Sequence, residues 1–539
     1  MNRRRFLGTF GAGSLSAAMA PRAKAWHGIV APRAEQGRAR VTVVADEPLG
    51  TLNPNILGHF TEHLGGCVYG GMWVGPDSSI PNDHGLRKYT IEALKKIHAP
   101  IIRWPGGCFA DTYHWRDGIG PREKRPKTWN LWWGREESNA FGTDEFLAYC
   151  QLAGASPYFC VNVGSGTVEE AVAWMDYVNG DHATSLAELR AANGHPQAYG
   201  AKYWSIGNEN WGCGGNFDAE DYARHYADFS TYLEKAAGKS KVEFAACGDT
   251  RGDWNQKFFE TLLRRPEAYG HIRRVHHLSI HHYFSGGPAV KFTDDDYYRL
   301  LASVGHLEGL IRKTAGTIDT YTEPQGPAIG IALDEWGVWH PSAGEGPDAL
   351  LQPNTLRDAL LAASVLNLLN SFGSRISIGC IAQTFNVLQS MANTRGSQMV
   401  LTPTYHTFDL FQPHMGQTCV RAAVDSPTFE ATLEHGKITR EVLSASASLD
   451  PVKREISLTL VNQHLIEPLE VEIEIAGLGA RAAGGTYREL TSRDVRDQNS
   501  FDEPNVISSP AEKPLSASGA SFTWTLPAHS VHALRLNLG

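Results

Sequence analysis

A (β/α)8 barrel of the TIM type followed by an antiparallel β-sandwich is the fold this sequence predicts, and three observations predict it. Between about residues 54 and 390, strand-like and helix-like segments alternate eight times. After about residue 400 the apolar period shortens to two, as in Leu469-Glu470-Val471-Glu472-Ile473-Glu474-Ile475. Glu209 and Glu335 each follow a short apolar run, so they stand where barrel strands present their chemistry.

The elements follow in order. Residues 1–25 carry Arg3-Arg4-Arg5-Phe6-Leu7, a mildly apolar stretch and a small-x-small site at Ala23-Lys24-Ala25. This resembles a twin-arginine export signal, which implies a periplasmic or secreted protein. Residues 26–53 form a lead-in with one strand at 40–45. Residues 54–395 are expected to form the barrel. Its strands lie near 56–62, 101–105, 157–163, 203–209, 242–247, 278–283, 329–335 and 376–386. Helical patterns fall at 90–98, 143–153, 168–178, 218–237, 294–313 and 354–370. In the 218–237 pattern, Tyr222, Tyr226, Phe229 and Leu233 set the helical period. The first strand lacks a glycine-rich dinucleotide fingerprint, which argues against a Rossmann sheet. Residues 400–539 are assigned to the sandwich, with 479–520 expected to be loop-rich and exposed.

Composition narrows the function. The chain has 539 residues, 42% of them hydrophobic, and a net charge of −9 with its basic residues scattered. That excludes a nucleic-acid surface. After residue 25 nothing approaches a membrane span, so no membrane anchor is expected. The 8 cysteines are dispersed without a Cys-x-x-Cys pair, so zinc-ribbon and redox motifs are disfavoured. A chain folded before export meets a reducing cytosol, so most of these thiols are expected free and buried. His276, His277, His281 and His282 form a metal-like cluster. Alternation along a strand sends neighbours to opposite faces, so at most one of each pair faces the mouth. Packing or hydrogen bonding is the expected role, with no catalytic metal and no cofactor. The 14 tryptophans include Trp129, Trp132 and Trp133 in a long loop, placed either to line a pocket or to pin the loop.

By strand count, Glu209 ends strand four and Glu335 ends strand seven, so both can face one pocket. Glycoside hydrolysis needs one protonated and one ionised carboxyl. Asn208-Glu209 after an apolar strand resembles the acid/base motif of a large barrel glycosidase clan. Four further segments narrow the likeness. They are Gly58-His59-Phe60-Thr61-Glu62-His63-Leu64-Gly65, Arg103-Trp104-Pro105-Gly106-Gly107, Trp115-Arg116-Asp117-Gly118-Ile119-Gly120-Pro121 and Leu333-Asp334-Glu335-Trp336-Gly337-Val338-Trp339. With Ser205 to Asn210 they resemble glycoside hydrolase family 51, the α-L-arabinofuranosidases, from about residue 40 to the C-terminus.

The resemblance implies a barrel whose sandwich also takes in the N-terminal strand. It implies Glu335 as nucleophile and Glu209 as acid/base in a retaining, exo-acting enzyme. Glu62, Arg103 and Asn208 match residues that hold furanose hydroxyls or orient the nucleophile. Tyr283 matches a tyrosine beside the nucleophile, Gln383 a sugar-contacting glutamine, and Trp339 a pocket-wall aromatic. Cys108 stands where many members have asparagine, and a thiol is a weaker donor to sugar. Gly337 stands where asparagine is frequent. Glu62 as an ion-pair partner of Arg103 is the competing reading for that pair. The implied partners are arabinose-containing polysaccharides or oligosaccharides, and the implied assembly is a homo-oligomer, often a hexamer. Alternative readings are another clan member, such as a β-xylosidase or endo-glucanase, a silent carbohydrate-binding protein, or a metal-dependent hydrolase.

Overall fold

The computed structural model describes residues 38–264, 268–322, 328–341, 343, 350–434, 436–477 and 479–539. The export-signal reading of residues 1–25 lies outside the described residues.

Eight parallel strands close into a barrel in chain order, the eighth pairing back on the first. They are Gly58–Phe60, Ile101–Trp104, Ser156–Val161, Tyr203–Ile206, Glu243–Cys247, His277–Phe284, Gly330–Val338 and Ile376–Ala382, here called barrel strands one to eight. Phe60, Ile101, Tyr158, Ala245, Ala332 and Ile378 fill the inside. A second apolar layer lies between strands and helices, where Trp104, Phe159, Trp174 and Trp204 pack on one another. Helices start from capping side chains. Thr167, Thr184, Asp218 and Thr293 each accept a backbone N–H in the first turn of the helix that follows.

Nine further strands form a second sheet with the N-terminal strand Arg38–Thr51 inside it, and the rest pair as short two-stranded ribbons. The N-terminal strand runs antiparallel to Thr418–Asp425 and parallel to Leu469–Ala476. The sheet curls on itself: Trp524 on the strand at one end donates to His532 Nδ1 at 3.2 Å, and alternating residues such as Val471, Ile473 and Ile475 fill the space between.

Two sequence expectations need correction, while most of the cysteines are free and buried as expected. The segment 479–520 contains the strands Ala482–Leu490 and Lys513–Gly519. The single helix at 294–313 is two helices, Asp294–Ala302 and Val304–Tyr321, joined at Ser303. Cys108 and Cys213 form a disulfide, while the other six cysteines are free and buried.

Candidate active site

Barrel strand four ends at Ile206, and the chain leaves it through Gly207 in the left-handed region (φ +81°). A Cβ on Gly207 would meet Asn210 Oδ1 at 2.1 Å, so only glycine fits. Glu209 itself is left-handed (φ +43°), a conformation that a side chain rarely adopts and that a surrounding structure must hold. Asp111 does much of the holding. Its Oδ2 accepts Asn208 N–H at 2.8 Å, and its Oδ1 accepts the N–H groups of Val163 and Gly164, both at 2.7 Å. Asp111 thus ties the strand-two loop to the ends of strands three and four.

Glu335 lies inside strand seven rather than at its end. Arg103 Nη1 donates to Glu335 Oε1 at 2.7 Å, and Tyr283 OH donates to Oε2 at 2.7 Å. The Arg103 guanidinium is fully buried. It also donates through Nη2 to Asn208 Oδ1 at 2.7 Å and lies 3.4 Å from Asp334 Oδ2 through Nε. Among the described residues its acidic partners are therefore Asp334 and Glu335. Glu62 has other partners: it accepts Phe109 N–H at 3.0 Å and Gln383 Nε2–H at 3.2 Å. The direct Glu62–Arg103 pairing does not form. Burial and the Glu335 charge push the Glu62 carboxyl up to about 7.

His281 joins the two glutamates. Its Nδ1 lies 2.9 Å from Glu209 Oε1 and 3.6 Å from Glu335 Oε2, and its Nε2 is 3.3 Å from Asp334 Oδ1. Burial alone would strip its proton. The Glu335, Asp334 and Glu209 carboxyls outweigh burial and carry the imidazole up to about 10. It is an imidazolium with both nitrogens donating. Glu209 is raised, first by burial and also by the Glu335 charge, while His281 pulls the other way. His281 occupies Oε1, so Oε2 is left to carry a proton. One carboxylate oxygen of Glu209 and one of Glu335 lie within 4.8 Å of each other.

Two donor sets could be mistaken for metal sites: Cys108 with Glu209 and Cys213, and Glu209 with His281 and Glu335. The first offers a disulfide in place of thiolates. In the second, the imidazolium has no lone pair to give. Cys213 Sγ lies 3.5 Å from Glu209 Oε2 as a packing contact, since a disulfide sulfur has no proton to donate.

Glu62, Cys108, Glu209, Tyr283, Glu335, Trp339 and Gln383 line one pocket, with Arg103 and Asn208 bonded beneath it. All the sequence-predicted site residues therefore come together. Cys108 does so as half of a disulfide, so its expected thiol contact with a sugar is replaced by a wall with no S–H donor. Trp133 and Leu388 join the lining, and Trp339 meets Tyr283 edge to face at 5.4 Å. Trp129, by contrast, is 62% exposed on the same loop. Gly337 is explained by its backbone: φ is +149°, and a Cβ there would meet Ala382 O at 3.1 Å.

Sequence reasoning missed Asp334, Asp111 and Cys213 and gave His281 no specific role. The cause is visible in the ladder. Strands six and seven slip register between Ser279 and His281, and strands seven and eight slip between Leu333 and Trp336. Such irregularities break strict alternation. Asp334 and Glu335 can then both face inward although they are consecutive.

Comparisons with known proteins converge on this chain. Residues 334–530 match the α-L-arabinofuranosidase C-terminal domain, and residues 93–295 match the α-L-arabinofuranosidase 1 domain. An intracellular exo-α-L-arabinofuranosidase of Bacteroides ovatus is 39% identical over 93% of this chain and 96% of its own length. The probable α-L-arabinofuranosidase C of Aspergillus niger is 32% identical over 94% and 98%. Among solved structures, the GH51 arabinofuranosidase of Xanthomonas axonopodis pv. citri superposes with a TM-score of 0.84 at 33% identity, covering 93% of this chain and 100% of that one. The Thermotoga maritima α-L-arabinofuranosidase in its arabinose complex gives 0.82 at 32%, covering 92% and 99%.

Proposed function

The chain belongs to the family 51 α-L-arabinofuranosidases, and from that premise we propose that it is a retaining, exo-acting α-L-arabinofuranosidase working by double displacement. The observation that carries the mechanism is the pair of carboxyl oxygens within 4.8 Å. Retaining glycosidases hold their two carboxyl groups about 5–5.5 Å apart, which leaves no room for a water between nucleophile and sugar. Glu335, oriented by hydrogen bonds from Arg103 and Tyr283, attacks the anomeric carbon. Glu209 gives its Oε2 proton to the departing glycosidic oxygen. A covalent arabinosyl-enzyme forms, and Glu209, now ionised, activates the water that releases arabinose with its configuration retained. The small pocket, walled by Glu62, Trp133 and Gln383, supports attack on one terminal residue of arabinan, arabinoxylan or their oligosaccharides.

Glu335→Ala should abolish turnover of an aryl arabinofuranoside. Azide should restore part of it and yield a glycosyl azide of inverted configuration. Full activity in the variant, or a retained azide product, overturns the assignment of Glu335.

Export by the twin-arginine route to the periplasm or medium is supported by Arg3 and Arg4. The Cys108–Cys213 disulfide, a bond that persists in oxidising compartments, supports it too. Changing Arg3 and Arg4 together to lysine should leave the enzyme in the cytoplasmic fraction, and unchanged fractionation removes this reading. Family resemblance supports a homo-oligomer, often a hexamer, which light scattering of the purified enzyme tests. Among the described residues, no helix is long and apolar enough to cross a membrane.

A further inference from the structure

Asp334 does no chemistry in the mechanism above, yet it is fully buried one residue before the nucleophile. Its Oδ1 accepts Ser279 OH at 2.5 Å and lies 3.3 Å from His281 Nε2. Its Oδ2 accepts Tyr158 OH at 2.8 Å and lies 3.4 Å from Arg103 Nε. Burial favours the neutral acid, but Arg103, His281 and Ser279 outweigh burial and hold this carboxyl well below the ordinary carboxylate range. Asp334 is therefore a fixed anion against both cations of the site. Those cations turn their other nitrogens to the glutamates: Arg103 Nη1 donates to Glu335 Oε1 at 2.7 Å, and His281 Nδ1 to Glu209 Oε1 at 2.9 Å. Further titratable groups face this cluster among the described residues. Tyr283 donates to Glu335, Tyr158 and Cys160 come from strand three, Cys380 from strand eight and Cys247 from strand five. Burial raises all of these tyrosines and thiols, so they stay neutral. Glu62 and Asp111, both pushed up by burial to about 7, are neutral at acid pH. The Cys108–Cys213 disulfide does not titrate.

These contacts set a charge balance. Arg103 and His281 are positive, and Asp334 is negative. Glu335 must be ionised to attack, so it is negative as well. The four charges cancel, and the buried cluster is neutral only while Glu209 keeps its proton. An uncompensated charge there is costly, because burial withholds the water that would solvate it. Without the Asp334 charge, the same cluster is neutral only with one proton fewer. We propose that Asp334 is a positioning residue for the catalytic proton: it offsets one of the two cations, so that the site keeps a proton on Glu209 Oε2 for the leaving group. The proposal rests on the arabinofuranosidase reading for its acid and nucleophile, and adds the residue that keeps the acid loaded. In Asp334→Asn an amide of the same size replaces the anion. Glu209 and His281 are then left with one proton between them, shared along the 2.9 Å contact of Oε1 with Nδ1, and Oε2 is bare.

The test follows kcat/KM against pH for methyl α-L-arabinofuranoside, whose poor leaving group needs the proton, in the full-length enzyme and its variants. The alkaline limb should move down by about one pH unit or more in Asp334→Asn. It should move up in His281→Gln, which removes a positive charge. Combining the two substitutions restores the balance, so that limb should return to within about half a unit of wild type. Tyr158→Phe takes a hydrogen bond from Asp334 but leaves its charge, so its limb should stay in place whatever activity it loses. A loss of packing would not follow charge in this way. The proposal is overturned if the limb of Asp334→Asn stays in place or rises, or if Tyr158→Phe lowers it as far. Should Asp334→Asn not fold, the combined variant is read against His281→Gln, and a limb no lower than that of His281→Gln overturns the proposal. Wild-type enzyme that leaves the arabinofuranoside intact but cleaves an alkyl xyloside or glucoside overturns the arabinofuranosidase reading alone. The same limbs are then compared on that substrate, because the charge balance does not depend on the sugar. Cleavage of none of them overturns both.

Discussion

In the proposed mechanism Glu209 is the acid, and its neighbours pull its proton affinity in opposite directions. Burial and the Glu335 charge raise it, and the His281 imidazolium lowers it. Replacing His281 by glutamine removes a positive charge 2.9 Å from Glu209 and 3.6 Å from Glu335. Glu209 should then hold its proton to higher pH. The alkaline limb of kcat/KM for an aryl substrate should move up, by about one pH unit or more; an unmoved limb would deny His281 this role. Asp111 acts one step further back. Asp111→Ala leaves the N–H groups of Val163, Gly164 and Asn208 without their acceptor, at about 1–3 kcal/mol for each of the two buried ones, Val163 and Asn208. Misplacing Glu209 matters most when the leaving group needs a proton. The variant should therefore lose more activity on an alkyl arabinofuranoside than on an activated aryl one, and equal losses would mean a general structural effect. Glu209, Glu335, Arg103 and Asn208 were legible because each sits in a short run whose chemistry is local. Asp334 and His281 were not, because two register slips aim them. Cys213 and Asp111 act through partners about a hundred residues away, which spacing alone does not reveal.

The strand-two loop is the element that most shapes the pocket. Its two short strands, Thr128–Asn130 and Arg135–Glu137, pair as a hairpin that carries Trp133 to the pocket wall. The hairpin is pinned to barrel strand one's loop. Asn130 Nδ2 donates to His63 O at 2.8 Å, and Asn130 Oδ1 accepts Trp133 N–H at 3.0 Å. His63 itself is fixed from both sides. Trp104 Nε1 can only donate, so His63 Nε2 accepts, and the proton on Nδ1 goes to Glu137 Oε2 at 2.8 Å. Asn130→Ala cuts the link between strand one and Trp133. It should raise KM several-fold with a smaller change in kcat, and lower stability by about 1–3 kcal/mol in denaturant unfolding. An unchanged KM would show that Trp133 is held without Asn130. The elements that resisted sequence reading share a cause. Ala482–Leu490 contains Gly484 and Gly485 and little apolar alternation, so its strand character comes from pairing with Lys513–Gly519 and Ser530–Leu538. Ser303 keeps helical dihedrals while closing one helix and opening the next, a break that an apolar period does not register.

Barrel and sheet are joined by Leu356–Ser371, a helix buried almost all round. Its Asn367 and Asn370 donate to Ser444 and Ser446 on the sheet at 3.2 and 3.1 Å. That shared interior couples titration across the molecule to the stability of both layers. Burial holds His59 and His282 in the barrel, and His532 in the sheet, neutral down to about 3, and His406 and His414 between them down to about 4. The unfolded chain would protonate all five below its ordinary 6.5, so they erode stability as pH falls. Raised buried carboxyls oppose this. Glu62 and Asp111, both pushed by burial to about 7, and Asp144, at about 6, hold protons that the unfolded chain has lost above pH 4.5. The five histidines outnumber the three carboxyls, so between about pH 6.5 and 4.5 stability should fall as pH falls, less steeply than the histidines alone would give. On the alkaline side one histidine stands out. His281 is raised from 6.5 to about 10, so its contribution is complete below 6.5 and is lost as pH rises through 10. From about pH 7.5 to 8.5 His281 should lower unfolding stability by about 1.4 kcal/mol per pH unit, and the six buried thiols, which burial raises above their ordinary range, deepen that fall as the unfolded chain's cysteines ionise. Denaturant unfolding across that window should give a slope steeper in the wild-type enzyme than in His281→Gln by about 1.4 kcal/mol per pH unit. The same slope in both would place the titrating group elsewhere.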